Sequence, residues 1–129
     1  MTLERAIQIL TKMAITMNYN NRVNKEYASG LNKAYTRALR LLSPVPEIYG
    51  AGINKTLTDD TLTQILFIIN DFKRIHNKYI ADYLCKILVT DKDKLNESDT
   101  RQLLYYLGCI KGADASCSII QQIGMVVGG

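Results

Sequence analysis

The segment "NRVNKEYASGLNKAYTRALRLL", Asn21 to Leu42, sets the architecture of the chain and locates its charge. It contains no proline, and Val23, Tyr27, Leu31, Ala34, Tyr35, Ala38, Leu41 and Leu42 share one arc of an α-helix. At about 100° per residue, with Arg22 at zero, Arg40 returns to the same angle and Lys33 falls about 20° away. Lys25 and Arg37 lie about 60° to either side. The spacing predicts one helix with a buried face and a basic face, and it assigns Tyr27 and Tyr35 to packing.

Upstream, Leu3, Ala6, Ile7, Leu10, Met13, Ala14 and Met17 repeat at helical spacing behind Thr2, a capping residue type, and predict a first helix from about Leu3 to Met17. "NYNN", 18–21, marks a turn because asparagine amides compete for backbone hydrogen bonds, and Asn21 is the expected cap of the second helix. Residues 1–44 thus read as a helical hairpin, closed by Pro44 and Pro46. The Pro/Gly loop 45–57 follows.

Downstream, residues 58–129 read as a helical core. Thr56 or Thr58 caps a third helix to about Arg74, whose Leu62, Ile65, Leu66, Phe67, Ile68, Ile69 and Phe72 cover more than one face and predict a central position. Residues 74–78 either break the helix, with Asn77 capping a fourth helix to about Val89, or only bend it. "TDKDKLNE" reads as a solvated loop, Ser98 as the cap of a fifth helix ended by Gly112, and Asp114 to Val127 as a sixth. With no alternating apolar pattern bounded by hairpin signals, the expectation is an all-α single domain, a compact bundle of about six helices.

Composition agrees with a folded chain: 129 residues, 47% hydrophobic and 22% charged, are ordinary for one globular domain. The beginning of the sequence lacks the pattern of a signal peptide, no stretch reaches the length of a membrane span, and Cys85, Cys109 and Cys117 have no disulfide-framework spacing. A soluble cytoplasmic protein with free thiols and no membrane partner is expected.

Charge is segregated. Residues 1–44 hold seven Lys and Arg against two Asp and Glu, net +5, whereas residues 45–129 hold nine against ten, net −1. A like-charged stripe repels itself at roughly a few tenths of a kcal/mol per close pair unless an acidic surface or phosphates face it. Arg22, Lys25, Lys33, Arg37 and Arg40 are therefore the candidate partner- or anion-binding residues.

No catalytic constellation accompanies them. His76 with the three cysteines has the inventory of a zinc site, but intervals of eight, 23 and seven residues lack paired-ligand spacing. "GAGINKT" departs from phosphate-loop spacing, and "NDFKRIHNKYIADYLCKIL" lacks the tight turn of a helix-turn-helix. Neither a metal, a cofactor nor a catalytic residue is assigned. The expected function is a non-enzymatic interaction protein that binds or inhibits a macromolecular partner, in the manner of a small viral or mobile-element regulator. The alternative is binding of nucleic acid or a nucleotide, and an enzyme is the third reading.

"LNKAYTRALRLLSP", 31–44, resembles part of the short helical hairpins of some phage proteins that sequester cyclic nucleotides, with a polar pair, an aromatic, an arginine and a closing proline along one helix. The likeness covers about a third of the chain with its partner helix and implies a nucleotide-sized anion. Separately, Ile119, Ile120, Ile123, Val126 and Val127 leave the last helix apolar nearly all round, which predicts a homodimer through residues 116–127.

Overall fold

Four helices carry the structure: α1 (Leu3–Tyr19), α2 (Lys25–Leu42), α3 (Asp59–Val89) and α4 (Glu97–Val127). The computed structural model describes residues 1–19, 24–43, 59–89 and 96–127, and among these no strand occurs. Arg22, Asn21, the Pro/Gly loop 45–57 and most of "TDKDKLNE" lie outside the described residues. Among the described residues the all-α expectation stands, and the six helices expected there are four.

The correction comes from two stretches that look like punctuation. In α3 a buried stripe runs through Leu62, Ile65, Ile69, His76 and Ile87, with Phe72 and Tyr83 half-buried along it. Burial at three- and four-residue steps thus continues straight through 74–78, and Asn77 is an exposed position in mid-helix rather than a cap. In α4, Gly112 does not end a helix, because it faces α2: a Cβ there would lie 2.6 Å from the Ala34 Cβ and 2.9 Å from the Leu31 carbonyl oxygen. A glycine needed for close approach reads locally like a terminator.

Helix starts are set by side-chain caps. Thr2 Oγ1 accepts from the Arg5 amide at 3.1 Å, as expected. For α2 the cap is Asn24, whose Oδ1 accepts from the amides of Glu26 at 3.0 Å and Tyr27 at 3.1 Å. For α4 it is Asn96, not Ser98: Asn96 Oδ1 accepts from the Asp99 amide at 2.7 Å while Asp99 Oδ2 accepts from the Asn96 amide at 3.2 Å, a reciprocal capping box.

Neighbouring contacts fix the directions. Asn32 Nδ2 donates to the Ala14 carbonyl at 2.9 Å, so α1 and α2 run antiparallel. Tyr83 to Asp99 at 2.6 Å, Lys73 to Asp114 at 2.5 Å and Cys117 to Asn70 at 3.8 Å set an antiparallel α3–α4 pair. The second and fourth helices are parallel, Gly30 meeting Gly108 and Ala34 meeting Gly112. This glycine-lined crossing gives α2 and α4 the most extensive contact in the fold.

The core gathers Leu3, Leu10, Leu42, Ile65, Ile69 and Ile120 from all four helices. Two expectations change here. Phe67 is 72% exposed and Ile68 37%, so the third helix is peripheral, and α4 touches every other helix instead. Ile119, Ile120 and Ile123 are buried inside the chain's own core, so they offer no surface to a second copy. The side chains of Val126 and Val127 lie outside the described residues.

Candidate anion-binding face

Helix α2 buries Ala28, Gly30, Leu31, Ala34, Tyr35, Ala38 and Leu42. Lys25, Lys33, Arg37 and Arg40 are exposed, as the sequence predicts, and Arg22 cannot be placed because it lies outside the described residues. Tyr35 is buried and Tyr27 packs against the core, so neither joins the basic face.

Among the described residues, Lys25, Arg37 and Arg40 form no ion pair. Glu26, the one acid of α2, is drawn away by Arg101 of α4 at 3.8 Å, and Arg101 also pairs with Glu97. The capping geometry at Asn24 and the start of α4 beside it therefore leave the stripe without a counter-charge from its own helix.

Lys33 has a different neighbour. Its Nζ lies 5.6 Å from the Tyr105 ring centroid, within reach of a cation–π attraction. Hydrogen bonding with the Tyr105 side chain holds the ammonium above its ordinary value, against an opposing effect of burial. Rings then follow one another across α4 to α3: Tyr105 to Tyr106 at 6.0 Å, Tyr106 to Tyr79 at 5.5 Å, Tyr79 to His76 at 5.3 Å and His76 to Phe72 at 4.2 Å. Sequence reasoning missed Tyr105, whose place under Lys33 is created only by helix packing, and Tyr79, which is linked to it through Tyr106.

The residues with catalytic potential are otherwise engaged. His76 is buried, and its Nδ1 donates to the Phe72 carbonyl at 2.7 Å. Cys109 and Cys117 are buried, and burial pushes both thiols up. For Cys109, interactions with Tyr105 and Lys33 oppose part of that rise. Among the described residues no cluster of three or more His, Cys, Asp or Glu is positioned to hold a metal, and no helix is long and apolar enough to cross a membrane.

No family model matches the chain, and no curated protein or solved structure is similar to it.

Proposed function

We propose that this chain is a non-enzymatic interaction protein, acting in the cytoplasm, that binds or inhibits an anionic macromolecular partner through the exposed face of α2. The observation that carries the reading is the alignment of Lys25, Lys33, Arg37 and Arg40 on one solvent face, with the single acid of the helix turned toward Arg101. Such an arrangement is self-repelling when alone and favourable when carboxylates or phosphates approach it. The engagement of His76 in packing and the burial of two of three thiols support a binding role over a catalytic one. Free thiols suit a reducing compartment.

Two partner classes meet this description, an acidic protein surface and a phosphate-bearing ligand such as nucleic acid or a nucleotide. Arginines at 37 and 40 serve both, through bidentate contacts with carboxylate or phosphate. Binding of labelled poly-L-glutamate and of random duplex DNA across a salt titration tests the proposal. Neutralising four to five phosphates gives a log–log slope near about −4 for DNA. Replacing Arg37→Glu and Arg40→Glu together is expected to abolish binding with an unchanged far-ultraviolet circular dichroism spectrum. Binding to neither polyanion at low salt, or binding indifferent to the double replacement, rejects it.

A further inference from the structure

At Lys33 the stripe meets rings that belong to other helices. Lys33 leans on Tyr105, Tyr105 touches Tyr106, and Tyr106 touches Tyr79, which is 45% exposed. We propose that Lys33, Arg37 and Arg40 of α2, together with Tyr105 of α4 and Tyr79 of α3, form a site for single-stranded nucleic acid, in which the cations take successive phosphates and the exposed Tyr79 ring stacks on a base. This rests on the reading of α2 as the contact face and names its partner.

Three features carry it. Lys33 and Arg37 are one turn apart, about 6 Å along the axis, and Arg40 follows after about 4.5 Å. These steps are comparable to those between phosphates of an extended strand. Next, every carboxylate that α2 and α4 contribute is engaged elsewhere: Glu26 and Glu97 with Arg101, Asp99 with the Tyr83 hydroxyl, and Asp114 with Lys73. None of them stands unpaired against an approaching phosphate. Finally, the exposed Tyr79 ring is joined through Tyr106 and Tyr105 to the Lys33 end of the cationic track, and rings together with cations are the combination by which proteins hold unpaired bases, since stacking needs a free base face and tolerates any sequence. A duplex keeps its bases stacked internally, and an acidic protein surface would use the cations without needing the ring.

The test uses the full chain with labelled oligothymidylate and oligouridylate of about 20 nucleotides, a duplex of the same length, and poly-L-glutamate. Both single strands are expected to bind roughly tenfold or more tightly than the duplex, and their ratio tells DNA from RNA. Tyr79→Ala should weaken single-strand binding roughly tenfold with little effect on the other two probes, and Tyr79→Phe should restore it. Circular dichroism and unfolding midpoints check that both variants fold. Equal affinity of Tyr79→Ala and wild type for the single strands, or a duplex or polyglutamate bound as tightly as they are, overturns the single-strand site. If Arg37→Glu with Arg40→Glu still weakens every probe, the reading of α2 as the contact face survives that failure. If that double variant binds all probes normally, both fall.

Discussion

Gly30 of α2 and Gly108 of α4 are set back to back: a Cβ added to Gly108 would approach the Gly30 Cα to 3.0 Å and overlap the Tyr27 carbonyl oxygen. Exchange of glycine for alanine in a helix interior ordinarily favours the helix by about 1 kcal/mol. Here the obstructing atoms are backbone, which cannot rotate aside, so the two helices must separate. Overpacking of this kind costs about 1–3 kcal/mol, and once the helix-propensity gain of about 1 kcal/mol is set against it, Gly108→Ala is expected to lower stability by up to about 2 kcal/mol. Urea unfolding measures it. Wild-type stability or better would show that glycine does not set the spacing of α2 and α4.

Leu10 is fully buried and Phe67 is 72% exposed, although both are large apolar residues on helices. Leu10→Ala removes buried methyl groups from the junction of all four helices and should cost about 2–5 kcal/mol. Phe67→Ala should fall within about 0.5 kcal/mol of wild type. Equal losses would mean that the core does not lie where Leu10, Leu42 and Ile120 meet.

The same pair shows what was legible in the sequence. Leu3, Ala6, Leu10 and Ala14 sit on one helical phase with Glu4, Arg5, Gln8, Thr11 and Lys12 exposed on the other side, so pattern alone gives both helix and buried face. Around Phe67 the apolar run "ILFII" has no polar side, and only the position of α3 at the edge of the fold decides which residues stay outside. Gly112 and Asn77 mislead because local propensity cannot see the neighbouring helix that holds a chain helical. A usable signal was present in the four-residue spacing of Gly30, Ala34 and Ala38 and of Gly108, Gly112 and Ser116, the small residues that permit close helix approach. The basic stripe was visible because its members share one helix; Tyr79 and Tyr105 join it only across α3 and α4.

Thiol reactivity should separate the cysteines. Cys85 is exposed, whereas Cys109 and Cys117 are buried and held protonated beyond the ordinary thiol value of 9.0 by that burial. Only the thiolate attacks a disulfide reagent. At neutral pH an aromatic disulfide reagent is expected to modify one thiol rapidly in the native protein and three in denaturant, with Cys85→Ser removing the fast phase. Fast reaction of all three in the native state would place the α2–α4 packing in doubt.

Tyr83 links the end of α3 to the cap of α4, and its hydrogen bond to Asp99 raises its hydroxyl above the ordinary 10.0. Folding therefore favours the protonated phenol. The contribution is fully present below about pH 10 and is lost as pH rises through the higher folded value, because the native state must then release the proton that makes the bond. Wild type should exceed Tyr83→Phe in stability by a constant margin between about pH 6 and 9, and the margin should shrink above pH 10. Chemical unfolding of both proteins across that range measures the difference, in which other tyrosines and thiols cancel. A margin that grows with pH would contradict the bond.

Arg37 stands between Lys33, one turn before it, and Arg40, three residues after it, and among the described residues no carboxylate pairs with it. Each like-charged neighbour costs an isolated helix about 0.2–0.5 kcal/mol. Arg37→Gln is therefore expected to raise stability by several tenths of a kcal/mol at low ionic strength. The gain should fade toward zero near 0.5 M salt, where the screening length shortens to a few ångströms. The same change removes a charge from the proposed contact face and should weaken polyanion binding, so stability and affinity move in opposite directions. Thermal unfolding at low and high salt, read beside the binding titration, tests both halves. A variant less stable than wild type at low salt would mean that Arg37 has a favourable partner within the chain, and the case for the stripe as a docking surface would lose its physical basis.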